Sequence, residues 1–177
     1  PKGEHIPTKT LIWAAGVTAK PVDGIPATSY GRGKRLLTDA FNKVQDTVNI
    51  YAIGDTCLQT ADSAFLQGHP QLAQVALQQG KNLAINFLRM EKQQPLRPFR
   101  YVDKGTMAII GRNKAVADIP KPKLHFHGFI AWFLWLFIHL ISLVTYRNKI
   151  TTLYNWMIAY FTKDQALRMI IRPSKKE

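Results

Sequence analysis

Three kinds of residue in this 177-residue chain could take part in chemistry. The run Asn49-Ile-Tyr-Ala-Ile-Gly-Asp55 is apolar and ends on a glycine followed by a carboxylate. A glycine there lets a ligand approach the backbone, and Asp55 can accept hydrogen bonds from ribityl or ribose hydroxyls. The same pair is equally an ordinary turn after a strand. Lys104, before Gly105, offers an ammonium that could polarise a carbonyl or stabilise an oxyanion, or could simply be a solvated turn lysine. Gln71, Gln74 and Gln78 form an uncharged polar row at helical spacing. Cys57 is the single cysteine, so no internal disulfide exists, and no CxxC pair or His/Cys cluster has zinc-ligand spacing. Gly31-Arg-Gly33-Lys-Arg-Leu36 has two glycines, but Leu36 replaces the third and no helical pattern follows. It is not a Rossmann loop.

The elements that must carry these residues can be read from periodicity and breakers. Thr10–Gly16 (T-L-I-W-A-A-G) suits a buried strand whose small-residue end allows close approach. Pro21–Gly33 reads as loop; Arg35–Thr38 and Asn49–Ile53 read as strands. A helix is predicted over Pro70–Met90, with Pro70 in its first turn and Leu72, Val75, Ala76, Leu83, Ala84, Phe87 and Leu88 on one apolar stripe. Gly80 lies on that stripe, which predicts close packing there. Gln93–Pro98 breaks the helix and marks a domain boundary. Phe99–Val102, Met107–Ile110 and Ala115–Ile119 predict a small antiparallel sheet with turns at Lys104-Gly105 and Arg112-Asn113-Lys114. Pro120–Lys123 then reads as a stiff basic linker.

Phe129–Val144 has sixteen residues and no formal charge. As a helix it would be about 24 Å long, short of the roughly 30 Å hydrocarbon core of a bilayer. A second helix is predicted over Thr151–Ile171, with Leu153, Trp156, Met157 and Tyr160 among its apolar residues and Lys163, Asp164, Arg168 and Arg172 largely opposite. The formal net charge is +13, and residues 120–177 hold nine Lys or Arg against two acidic residues. The most basic third is also the most apolar and aromatic, a pairing that favours an anionic lipid surface over nucleic acid. A hydrophobic hairpin packed on its own domain or a partner remains the alternative. The opening at Pro1 reads as a cut through a longer protein, and one thiol fits a reducing, cytoplasmic setting.

Taken together, strand–Ala52-Ile-Gly-Asp55, a loop, and Ala73-Gln-Val-Ala76 at a helix start resemble the second FAD-binding signature of two-dinucleotide-domain flavoproteins. Ala73-Gln-Val-Ala-Leu-Gln-Gln-Gly80 and Tyr101-Val-Asp-Lys-Gly-Thr-Met-Ala-Ile-Ile-Gly-Arg112 are similar to segments of the type II NADH dehydrogenases, as is the apolar tail. The resemblance implies an α/β fold: the C-terminal part of an FAD/NAD(P)-binding Rossmann-like domain (1–93), a small antiparallel segment (94–120), and two apolar or amphipathic C-terminal helices (121–177).

It also implies roles. Ala15, Gly16, Gly54, Asp55, Leu72, Ala73 and Gln74 would hold FAD. Gln74, Leu77, Lys104 and Met107 would line a quinone pocket, with Lys104 catalytic and no metal. His139 reads as a packing or interface residue rather than a redox ligand. The parent enzyme would pass hydride from NADH to FAD and two electrons to membrane quinone without pumping protons. It would sit peripherally on the cytoplasmic face of the inner membrane through 129–171, and exposed strand edges could pair two copies. Both Gly-rich fingerprints would lie upstream, so the 177 residues alone are expected not to oxidise NADH. The rival readings are a sulfide:quinone oxidoreductase, which would need redox cysteines, and a non-enzymatic membrane-docking module.

Overall fold

The computed structural model describes residues 3, 7–12 and 16–162. The chain forms two compact units, Pro1–Val102 and Asp103–Glu177. Strands β1 (Leu36–Thr38) and β2 (Cys57–Gln59) of the first unit pair in parallel, Leu36 opposite Cys57 and Thr38 opposite Gln59. Leu36, Val44, Ala52 and Cys57 form one buried cluster, with Ile25 and Tyr30 packed on it. Helix α1 (Ala73–Glu91) carries Val75 into a second cluster with Phe99, Tyr101 and Phe65.

Several expectations change here. Thr10–Ile12 form no strand: Leu11 and Ile12 are 78 % and 84 % exposed, and Trp13–Ala15 lie outside the described residues. An apolar run becomes a strand only when a neighbour takes up its N–H and C=O groups, and no described strand pairs with this one. Asn49–Ile53 makes only a bridge, Tyr51 to Lys43, because the facing chain turns through left-handed Asn42 and Asp46 and a ladder cannot extend. The strand proper, β2, follows Gly54-Asp55 instead of preceding it.

Helix α1 starts three residues after Pro70, with Leu72 as its N-cap. Its buried face is Val75, Gln79, Leu83 and Asn86. Of the predicted stripe only Val75 and Leu83 are buried, while Phe87 and Leu88 are exposed. Two amides replace them because each finds backbone partners: Gly54 for Gln79 and Arg97 for Asn86. Gly80 is not a tight contact, since a Cβ there would meet Ile53 Cδ1 at an ordinary 3.6 Å.

Phe99–Val102 is extended but is not a strand. Its segment is clasped by α1 side chains: Gln78 donates to the Val102 carbonyl (2.9 Å) and accepts from its N–H (3.1 Å), while Asn82 and Asn86 donate to the Arg97 carbonyl. These bonds hold 97–102 to α1, within the compact unit that ends at Val102.

In the second unit, β3 (Thr106–Gly111), β4 (Lys114–Ile119) and β5 (Leu124–His127) form an antiparallel sheet in that order. Pro120–Lys123 is the turn between β4 and β5, not a linker out of the sheet. Arg112-Asn113 is the two-residue β3–β4 turn, with Asn113 at φ +59°. Helices α2 (Gly128–Ser142) and α3 (Tyr146–Thr162) follow. Ala131 of α2 sits on Ala115 and Ala117 of β4, all three buried, so small side chains let the helix lie close to the sheet. The end of the second predicted helix, 163–171, lies outside the described residues.

Candidate functional site

In the first unit the turn Gly54–Thr56 is joined to α1 by Gln79 of the helix and to the segment just before it by Gln71. Gly54 adopts φ +66°, and a Cβ there would stand 3.1 Å from the Ala76 Cβ. The approach this glycine permits is therefore the helix's own, and Gly54 N–H is spent on Gln79 Oε1 at 2.7 Å. The Asp55 carbonyl accepts from Gln71 Nε2 at 3.2 Å, while Asp55 itself is exposed. Leu72, an extended N-cap, accepts from the Val75 and Ala76 N–H groups through its carbonyl but has no side-chain oxygen to cap the first turn of α1. An uncapped helix start has N–H groups and a positive dipole end for an anionic or electron-rich group. Ala73 is exposed and Gln74 half-buried on that turn; Leu77, one turn on, is 72 % exposed.

The sequence-predicted flavin residues Gly54, Asp55, Leu72, Ala73 and Gln74 thus fall on two connected elements. Gly16, at φ +30°, stands apart with nothing within 4 Å of a Cβ position, and Ala15 lies outside the described residues. The residues present fit a flavin: an open carboxylate and an uncapped helix start come from one rigid piece.

Lys104 and Met107 belong to the second unit. Lys104 is exposed in the turn before β3, where Gly105 N–H donates to Asp103 Oδ1 at 2.8 Å. Gly105 has φ +103°, and a Cβ would fall 2.2 Å from the Asp118 carbonyl oxygen. Only glycine fits there, which fixes how the chain carries Lys104. Met107 is on the strand rather than the turn, half-buried against Ala115, Ala117 and Ala131.

Three features gave no signal in the sequence. Gln79 is 1 % exposed and also places Nε2 3.6 Å from Cys57 Sγ. Asp62 and buried His69 pair at 3.1 Å beneath Phe65, Phe99 and Tyr101, and Asp62 also accepts from the Tyr101 and Ala64 N–H groups. Burial pulls the Asp62 carboxyl upward, but the bonds from His69, Ala64 and Tyr101 together hold it below its ordinary value. Arg35 donates to the carbonyls of Cys57 and His69, and burial lowers its pKa. The Cys57 thiol is pushed up by burial against the pull of Thr38, Asn42, Gln79 and Arg35, and it is 1 % exposed. Such a thiol is a poor nucleophile, so Cys57 gives no support to sulfide chemistry.

Helices α2 and α3 face each other through Trp132–Tyr160 and Trp135–Trp156 ring pairs at 5.5 and 6.2 Å. Between them and β3 runs a groove of about 670 Å³, lined by side chains such as Phe133, Leu136, Leu153 and Trp156. Among the described residues its one charged lining side chain is Arg112, whose guanidinium lies 3.8 Å over the Tyr160 ring. Hydrogen bonding from Arg112 and then Asn113 lowers the Tyr160 pKa. Neither Lys104 nor Met107 lines this groove. His139 stacks on Trp135 at 3.9 Å and bonds its carbonyl, a packing arrangement. No described helix is long and apolar enough to cross a membrane.

Residues 1–80 match the family described as pyridine nucleotide-disulphide oxidoreductase, and residues 104–164 the family described as NDH2 C-terminal domain. Type II NADH:quinone oxidoreductase NdhA of Mycobacterium tuberculosis is 35 % identical over 158 residues, which cover 84 % of this chain and 32 % of that protein. Internal alternative NAD(P)H-ubiquinone oxidoreductase A1, mitochondrial, of Solanum tuberosum is 34 % identical over 170 residues, covering 88 % and 34 %. The chain spans about a third of the length of the curated relatives it matches. NDH2 from Plasmodium falciparum, solved in complex with NADH, shares the fold with a TM-score of 0.61 at 16 % identity, covering 80 % of this chain and 41 % of that one. The chain belongs to the type II NADH:quinone oxidoreductase family.

Proposed function

We propose that this chain provides the flavin-edge helix, the quinone-facing turn and the membrane-facing hairpin of a non-proton-pumping NADH:quinone oxidoreductase that uses FAD. The observation that carries this reading is the link between the Gly54–Thr56 turn and the first turn of α1. When bound, FAD would supply the redox chemistry, taking hydride from NADH and delivering two electrons to quinone. The relatives' names, with NADH as donor and quinone as acceptor, support that pairing.

The roles of this chain's residues follow from their chemistry. Asp55 would accept hydrogen bonds from ribityl hydroxyls, Gly54 sets its turn, and Gly16 and Ala15 would border the nucleotide. Leu72, Ala73 and Gln74 would present the positive end of α1 to the pyrimidine edge, where it favours negative charge. Gln74 and Leu77 on α1, and Lys104 and Met107 on the second unit, are the residues proposed to face quinone. The Lys104 ammonium would polarise a quinone carbonyl and stabilise charge developing on its oxygen.

The hairpin supports a peripheral place on the membrane. Phe129, Ile130, Phe133, Phe137 and Ile141 of α2 are exposed, and residues 120–177 carry a basic excess. We propose the cytoplasmic leaflet for this surface, where anionic lipid suits its charge and a reducing compartment suits the chain's single thiol, Cys57 of the first unit. Among the described residues the outer strands β3 and β5 each have a strand on one side only, an arrangement that could pair two copies.

Replacing Asp55→Ala in the full-length protein tests the flavin assignment. Purified variant is expected to retain far less FAD than the parent; undiminished retention would count against it.

A further inference from the structure

Helix α1 buries two amides, and it uses them differently. Asn86, fully buried in the second half of the helix, closes both of its polar atoms on one residue: Nδ2 donates to the Arg97 carbonyl and Oδ1 accepts from the Arg97 N–H, each at 2.9 Å. Gln79 straddles a turn instead. Its Oε1 accepts from Gly54 N–H at 2.7 Å, and its Nε2 reaches Cys57 Sγ at 3.6 Å. Gly54 and Cys57 bracket Asp55 and Thr56, so one side chain grips both ends of the turn that presents the exposed carboxylate.

The chemistry of the position calls for an amide of this length. Gly54 N–H is buried with its residue, and leaving such a group unpaired costs about 1–3 kcal/mol. Cys57 Sγ, already bonded by Thr38 at 3.2 Å and Asn42 at 3.5 Å, ties the far end of the turn to the β1 region of the core. A carboxylate at 79 would bury a charge, and an apolar side chain would leave Gly54 N–H without a partner. The other tether to this turn, Gln71 Nε2 to the Asp55 carbonyl, comes from the segment just before the helix and is at the surface. The buried grip belongs to Gln79.

We propose that Gln79 is a positioning residue for FAD: it fixes the Gly54–Cys57 turn to α1 so that Asp55 and the first helical turn meet the flavin as one rigid unit. This rests on the flavin reading above. Gln79 does not touch the cofactor; it acts through Asp55. Its contribution is therefore to orientation and affinity at Asp55, in contrast to Asn86, whose amide secures the 97–102 segment.

The test compares Gln79→Leu with Asn86→Leu in the full-length holoenzyme. It measures FAD dissociation, the visible circular dichroism of bound flavin, and the unfolding temperature of the flavin-stripped proteins. Gln79→Leu is expected to weaken FAD at least tenfold and to alter the dichroism. Asn86→Leu is expected to lower the unfolding temperature with FAD affinity within twofold of the parent. Adding Asp55→Ala to Gln79→Leu should weaken FAD little further, because the two act through one contact. If Gln79→Leu does not fold, Gln79→Asn keeps the amide, shortens its reach, and should show the same weakened flavin. Equal FAD loss in the Gln79 and Asn86 variants, or fully additive losses with Asp55→Ala, would overturn the proposal. A full-length parent that binds no flavin would instead overturn the reading beneath it.

Discussion

At the scale of single residues, the first unit adds buried polar pairs to its apolar clusters. Asp62 accepts from His69 and from two backbone N–H groups, beneath three aromatic rings. Its folded-state pKa is lowered, so it stabilises the fold above the ordinary carboxylate value and loses that effect as pH falls through the lowered one. Asp62→Ala should cost roughly 1–3 kcal/mol near neutral pH by stranding the His69 and Tyr101 donors. Denaturant unfolding at a series of pH values should show the difference from the parent shrinking below about pH 4. A pH-independent difference would mean that the carboxylate charge is not the cause. None of this was legible in the sequence. Asp62 and His69 sit in a loop with no periodicity, and Gln79 looks like any surface glutamine until Gly54 N–H is found against it. Asp55 and Gly54 were legible because the end of an apolar run is marked by residue type.

Elements were read well where the local pattern of residue types decides them. Helices α1 and α2 follow from apolar periodicity and from an uncharged run, and the β3–β4 hairpin from Arg112-Asn113 at its turn. Reading failed where a partner decides. The extended stretches 49–53 and 99–102 have strand-like composition, but the second is satisfied by Gln78 and Phe99 N–H by the Ala40 carbonyl, not by a ladder. Strand β5 was missed because its Leu-His-Phe-His alternation follows Pro-Lys-Pro-Lys, which reads as a linker although it is a turn. Gly105 is the element-level residue with the least freedom. Gly105→Ala would need a left-handed backbone and would drive a Cβ into the Asp118 carbonyl. A loss of at least roughly 1–3 kcal/mol is expected from strain alone, read as a lowered unfolding midpoint; a midpoint unchanged within error would contradict the turn described.

On the scale of the whole molecule, charge and apolar surface coincide in the second unit. Exposed aromatic and aliphatic side chains of α2 and α3 occur with a basic surplus. The full-length protein is expected to bind vesicles containing anionic lipid, more weakly as salt rises. Replacing Phe133→Glu should weaken binding about tenfold or more, given about 1.5–3 kcal/mol for burying one such side chain; vesicle sedimentation of parent and variant would measure it. Equal binding would place the membrane contact elsewhere. The NADH-reading fingerprints are absent from these residues, so the donor side of the reaction is inferred from family membership and not from any motif present.

We propose that this chain forms one wall of a flavin site that hands electrons to quinone. The most direct measurement is the visible absorption spectrum of the full-length protein, titrated anaerobically with NADH and then with quinone. A bound oxidised flavin bleached by stoichiometric NADH and restored by quinone is the result expected. A protein that carries no flavin, or whose flavin NADH does not bleach, would contradict the claim.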